Sequence, residues 1–286
     1  MEFHGPSDLH LHSARSDGTE TAADLVASAH AAGLGTIALT DHDTTDGWVE
    51  AAATTASLGM TFVPGMELSA SEGWRSVHML AYLFDPTDAA LGAELTRIRA
   101  DRLGRAERIV RSIGRDYPLT WADVVEQTSD GATVGRPHIA DALVARGIVP
   151  DRSAAFDGIL HPREGYYEPH YAPDPRTCVE LVVAAGGVPI LAHPSPRGRD
   201  RMLPLPVLRD LIARGLAGFE IEHRENTEDG KIVLRALAAE HDLIVTGSSD
   251  YHGAGKPNRP GENTTSDEMV ARIIAAGTGS APVYPA

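Results

Sequence analysis

In the segment DLHLHS, His10 and His12 are separated by a single residue at the end of a short apolar run. If that run is a strand, both imidazoles lie on one face, where they can ligate one metal ion. Alone, HxH is a weak signal. Asp17 follows in SARSDG, where a carboxylate reads equally well as a turn residue. Next, TIALT runs into Asp41-His42-Asp43, GMELS carries Glu67, and SVHMLAYLF carries His78. Carboxylates flanking a ligating imidazole can orient it through its second nitrogen. An acidic group among apolar residues is costly unless paired or bound to metal, whereas His78 alone reads as a hydrogen-bonded core histidine. Farther on, GVPILAHP ends in His193, and LIVTGSSDYH ends in Asp250 and His252.

A common site for these residues requires a fold in which distant strand ends meet. Short apolar or β-branched runs fall near 6–11, 35–40, 61–68, 76–84, 187–192, 217–222 and 243–247. Helical patterns near 20–32, 45–58, 177–186, 204–214, 228–241 and 266–276 lie between and after them. Thr19 or Thr21 can cap the first helix and Gly33 can end it. This βαβα rhythm is that of an α/β fold with about seven units, enough to close a barrel whose C-terminal strand ends share one rim. Residues 88–172 break the rhythm with a long charged helix, shorter helices and Pro-rich loops. The expectation is a barrel domain from 1–87 and 173–286 with an inserted helical subdomain, 88–172. Residues 253–265 read as a mobile loop.

Composition narrows the chemistry. The lone cysteine, Cys178, excludes a disulfide framework and a thiolate metal cluster; it reads as a buried helix residue. A net charge of -15 argues against coating duplex nucleic acid. It does not oppose a small phosphorylated substrate, because bound cations can make the pocket itself positive. No apolar stretch reaches the ~18 residues of a membrane span, and the N-terminus has no basic and apolar leader, so the expected location is cytoplasmic.

In this order, DLHLHS with SDG, TDHD, GMELS, the lone His78, AHP and SSDYH resemble the motifs of the PHP family, named for its polymerase-associated and histidinol-phosphatase members. The likeness spans about residues 8 to 252 apart from the insertion. It implies a distorted (β/α)7 TIM-like barrel holding two or three divalent ions (Mn2+, Fe2+ or Zn2+). Carried over by position, His10, His12, Glu67 and Asp250 hold one ion. Asp17, His42 and His252 hold a second, and Glu67, His78 and His193 a third, with Glu67 bridging. Asp17 stands where many members have His, which makes the second site richer in oxygen. Members with a similar insertion place residues such as Arg136 and His138 of GRPHIA at the mouth, where arginine offers a bidentate fork to phosphate. Arg197 is a further candidate, as are Arg102 and Arg105, and these three read equally as solvated surface. His223 ends GFEIEH and points at the same rim as a candidate proton donor or substrate contact.

The resemblance implies a metal-dependent phosphoesterase in which a metal-bridging hydroxide attacks phosphorus. Its branch is that acting on nucleoside 3',5'-bisphosphates or short oligoribonucleotides. Carboxylates outnumbered in charge by divalent ions leave a positive pocket, which supports phosphate chemistry independently. No G-x-S-x-G elbow or P-loop is present. The alternatives are a histidinol-phosphate-type phosphatase, a metal-dependent amide or ester hydrolase, and a non-catalytic metal-binding accessory module.

Overall fold

The computed structural model describes residues 5–197 and 202–285; His4 lies outside them. The chain begins with β1 (Ser7–Leu11), α1 (Ala22–Ala31), β2 (Thr36–Leu39) and α2 (Trp48–Ser57). A long hairpin follows, β3 (Thr61–Glu72) and β4 (Arg75–Tyr82). Then come α3 (Ala89–Ile113), α4 (Trp121–Val125), α5 (Arg136–Ala145), α6 (Arg152–Asp157) and α7 (Pro175–Ala184). The last stretch is β5 (Val188–Leu191), α8 (Leu205–Ala213), β6 (Gly218–Glu222), α9 (Glu228–Glu240), β7 (Ile244–Gly247) and α10 (Asp267–Ala276).

The strands form one sheet in sequence order, β1 to β7. Its seam is drawn together where the His12 N–H donates to the Tyr251 carbonyl at 2.9 Å and Leu11 bridges Tyr251. The result is a nearly closed, TIM-like α/β barrel. Most neighbours are parallel, but β4 is antiparallel to both β3 and β5. This breaks the parallel order that the βαβα rhythm of the sequence implies. Glu67 lies within β3, which continues past it to Glu72, and His78 sits near the start of the reversed β4. The reversal is made by a tight turn at Gly73-Trp74 between the paired residues Glu72 and Arg75. Gly73 takes φ +61°, the left-handed value that the first position of such a hairpin requires.

Burial at helical spacing explains how the helices seat. Leu25, Val26 and Ala29 of α1 pack with Ile37, Leu39 and Phe62; Thr21 caps this helix by accepting from the Asp24 N–H. Cys178 is buried in α7. The long α3 serves two cores. Its Leu91 and Ile98 join the cluster around the sheet. Its Ile109, Val110 and Ile113 join a second cluster with Val124, Ile139, Leu143 and Leu160.

The segment 253–265, read from sequence as mobile, is tied down. Asn258 donates to the carbonyls of Ser249 and Asp250 at 2.6 and 3.2 Å. The Gly261 N–H donates to Asp8, and the Thr265 N–H to Ser7, at 2.8 and 2.9 Å. Among the described residues no helix is long and apolar enough to cross a membrane.

Candidate metal centre

Alternation in β1 buries Leu9 and Leu11 among apolar side chains and turns Asp8 and His10 to the other side, towards the barrel's upper rim. There the side chains gather around Glu67, which is 1% exposed. One carboxylate oxygen, Oε2, lies 3.3, 3.1 and 3.2 Å from His10 Nε2, His12 Nε2 and His42 Nδ1. The other, Oε1, lies 2.8 Å from His78 Nδ1 and 3.1 Å from His193 Nε2. Five imidazoles from distant parts of the chain therefore converge on a single carboxylate.

Asp17 forms a second pole. Its oxygens lie 3.1 Å from His252 Nε2, 3.6 Å from His12 Nδ1 and 3.7 Å from His42 Nε2. Asp250 forms a third, with Oδ1 3.5 and 3.4 Å from His10 and His12 Nε2. Its Oδ2 accepts from Lys256 Nζ at 2.6 Å. All the sequence-selected ligands are thus brought into one pocket. His12 touches all three poles and His42 two, so grouping by proximity joins His12 to Asp17, His42 and His252, and joins His42 to Glu67 and His78. Two participants escaped the sequence reading. Glu220 accepts from His10 Nδ1–H at 2.9 Å and from the His193 N–H at 2.8 Å, which fixes one ring and the turn bearing another. Lys256 is the other.

Does the donor set fit divalent ions? His10 Nε2, His12 Nε2, His42 Nδ1, His223 Nε2 and His252 Nε2 are buried and make no well-aligned hydrogen bond among the described residues. Buried nitrogens in a polar cluster are rarely left so. Three sets of donors, each with a carboxylate and at least two imidazoles, have their ligand atoms within 4.8 Å of one another. Burial alone would raise the Glu67 carboxyl, but His42, His78 and His10 hold it well below the usual range. Against the same burial, His252 and His42 hold Asp17 low, Lys256 and His252 hold Asp250 low, and His10 and His223 bring Glu220 down to about 2. Burial pushes His42 and His252 down, while against burial Glu220 and Glu67 hold His10 well above the usual range and Glu67 raises His193 to about 9, protons that a bound cation would displace. Ionised carboxylates and neutral imidazoles are what divalent cations bind. Among the described residues, the cluster is able to hold metal.

The neighbouring acids play other parts than the sequence suggested. Asp41 does not orient His42. It accepts from the Ser13 N–H at 2.8 Å, from Ser13 Oγ at 2.6 Å and from Ser16 Oγ at 2.5 Å, so it shapes the loop that carries Asp17. Asp43 accepts from the Ser69 N–H and Oγ at 2.7 and 2.8 Å and pairs with Arg102 at 3.0 Å. Replacing Asp41 with Ala is expected to cost about 1–3 kcal/mol by orphaning the buried donors. Denaturant titration checks this; Asp41→Asn, which keeps an acceptor, should lose less. Backbone strain also collects here, with Asp43, His193 and Asp250 at φ +55°, +27° and +54°.

Arg136 and His138, two positions apart on α5, diverge. The Arg136 guanidinium lies 5.2 and 5.4 Å from the rings of Tyr167 and Phe156. His138 Nδ1 accepts from the Gly135 N–H at 3.1 Å, and its ring also hydrogen-bonds the backbone of Ser16, seating it against the Asp17 loop. Arg152 clasps Asp141 and donates to the Asp17 carbonyl at 3.1 Å, a second tie between helices and loop. Arg105, which the sequence treats as surface, is 6% exposed and has no carboxylate partner among the described residues. Burial and the nearby Arg136 and Arg102 bring it down to about 10. Three guanidinium groups, of Arg102, Arg105 and Arg136, thus lie near one another. His223 is 1% exposed, with Nε2 3.7 Å from Asp250. Arg197, by contrast, is exposed, and lines an open cleft with His223, Arg224 and Lys231.

Residues 8–120 match the model of the PHP domain. The chain is 33% identical over 274 residues to a 3',5'-nucleoside bisphosphate phosphatase of Chromobacterium violaceum, covering 93% of this chain and 94% of that protein. It is 32% identical over 245 residues to a 5'-3' exoribonuclease of Haemophilus influenzae, covering 86% and 89%. A solved structure from Bifidobacterium adolescentis, assigned as a metal-dependent phosphoesterase, matches with a TM-score of 0.93 at 42% identity, covering 95% and 96%.

Proposed function

Because this chain belongs to the PHP family of metal-dependent phosphoesterases, we infer that it hydrolyses a phosphate ester of a small nucleotide. The observation that carries the reading is the convergence of imidazoles on Glu67, with Arg102, Arg105 and Arg136 grouped nearby, Arg102 answered by Asp43 and Arg105 by no carboxylate among the described residues. His10, His12, Glu67 and Asp250 would hold one divalent ion, Asp17, His42 and His252 a second, and Glu67, His78 and His193 a third. Mn2+, Fe2+ and Zn2+ all suit these donors. Bound there, such ions supply Lewis-acid activation of water and neutralise charge on the phosphoryl oxygens.

The chain's own groups do the rest. Arg102, Arg105 and Arg136 bind and orient a phosphate of the substrate, and the low polarity around Arg105 strengthens that attraction. Glu220 keeps the His10 ring turned so that Nε2 faces the site. His223 Nε2 would donate a proton to an oxygen of the substrate. His138 and Arg152 position the Asp17 loop, while Arg197 reaches the substrate from the opposite lip. In this reading residues 88–172 form an inserted helical subdomain that covers the mouth of a barrel built from 1–87 and 173–286. The terminal phosphate of a short oligoribonucleotide presents the same chemistry as a nucleoside bisphosphate.

Chelation followed by return of Mn2+ tests this. Phosphate release from a nucleoside 3',5'-bisphosphate should vanish and return. Turnover of histidinol phosphate alone would overturn the nucleotide assignment. Failure to cleave aryl phosphates, with no inhibition by inorganic phosphate, would favour amide or ester hydrolysis instead.

A further inference from the structure

The turn of the β3–β4 hairpin holds a tryptophan whose ring carries the Arg75 guanidinium on one face, 4.8 Å from its centroid, and leaves the rest of the side chain to solvent. Trp74 is 68% exposed, at the tip of a hairpin whose base carries Glu67 and His78. Such a side chain costs solubility wherever it is not needed, and a single one signifies little. Here it borders a cleft of about 530 Å3 shared with Ser76, Tyr167, Pro169 and His170, within the roughly 300–1,000 Å3 of small-molecule sites. Tyr167 is 40% exposed, so a second ring faces solvent at the same cleft.

This cleft is joined to the catalytic region at two points. On one side, Ser76 Oγ lies 3.4 Å from His78 Nε2, and at about 3.3 Å per residue no more than about 13 Å of strand separates His78 from Trp74. On the other, Tyr167 lies 5.2 and 5.8 Å from the guanidinium groups of Arg136 and Arg105. A ligand anchored by phosphate at the arginines or at the Glu67 cluster therefore has planar apolar faces within reach. His170 is kept uncharged, pushed down to about 3 by burial and by Arg102, so its ring adds another neutral flat surface.

We propose that Trp74 and Tyr167 form a stacking site for the nucleobase of the substrate, so that this cleft, and not the metal pocket, selects nucleotides over other phosphate esters. Aromatic faces stack any base and do not read its edges, so the selection is for the presence of a base and not for its identity. The inference rests on the phosphoesterase reading above for its phosphate anchor.

Two measurements test it, and they fail separately from that reading. Titrating AMP into the Mn2+-supplemented protein should quench tryptophan emission saturably. The quench should be lost in Trp74→Phe, which leaves Trp48 and Trp121 as emitters, and should be absent with ribose 5-phosphate. No quench, an equal quench by ribose 5-phosphate, or a quench that survives in Trp74→Phe would overturn the proposal. In steady-state assays, Trp74→Ala and Tyr167→Ala should each raise KM for a nucleoside bisphosphate about tenfold relative to a base-free ribose bisphosphate. Equal changes for both substrates would overturn it too. If the wild-type protein hydrolyses neither, the catalytic reading falls, and the fluorescence titration still decides the base site.

Discussion

Changing Glu67 to Gln should lower kcat/KM by about three orders of magnitude while leaving a folded protein. The substitution preserves size but replaces one anionic oxygen with an amide NH2. Each Glu67 oxygen faces different imidazoles, His10, His12 and His42 from Oε2 and His78 and His193 from Oε1. Whichever way the amide turns, one set of ring nitrogens meets a donor in place of an acceptor, and the formal charge of the pocket rises by one. Metal-ion catalysis is worth several kcal/mol of transition-state stabilisation, and about 4 kcal/mol corresponds to the stated loss. Elemental analysis should show reduced metal content, and circular dichroism an unchanged fold. Full activity with a full metal complement in Glu67→Gln would refute a shared centre.

Arg105→Met is expected to separate stability from activity. A buried guanidinium beside two others, with no carboxylate to answer it among the described residues, is held in place at the expense of the fold. Methionine keeps the stem's packing against its neighbours and removes the charge. Relief of about 1 kcal/mol would raise Tm by about 2–4 °C. Loss of a charge-assisted contact to phosphate, worth about 1.5–3 kcal/mol, should lower kcat/KM by about 10- to 100-fold, mostly through KM. Calorimetry and kinetics on the same preparation check both signs. A less stable variant with normal kinetics would show that Arg105 serves structure alone.

Much of the His, Asp and Glu cluster was legible because its members interrupt apolar runs in a chain of alternating strands and helices. Glu220 was hidden by its setting: GFEIEH contains two acids and a histidine, and only alternation marks Glu220 as facing away from the cluster that holds Phe219 and Ile221. Lys256 lies in a Gly- and Pro-rich stretch whose anchoring depends on the backbone of Ser249 and Asp250, which no local pattern reveals. The direction of β4 could have been read. Two strand-like runs flank Glu72-Gly73-Trp74-Arg75 with no helix between them, which is the mark of a hairpin and not of a crossover. Arg105 was discounted because a charged residue in a long helix is ordinarily solvated; in the fold it sits 5.8 Å from the Tyr167 ring, which Arg136 of α5 also approaches.

That single reversed strand also decides where the arginines go. In a parallel unit the strand finishes at the mouth and the next helix descends to the floor. Here β4 travels downwards, so α3 starts at the floor and climbs, some 37 Å over its 25 residues. Leu91 and Ile98 grip the barrel wall on the way up, and Arg102 and Arg105 arrive level with the opening before Ile109 passes into the second core. The chain delivers cationic groups to the lip by changing its direction of travel once, with no long loop to order.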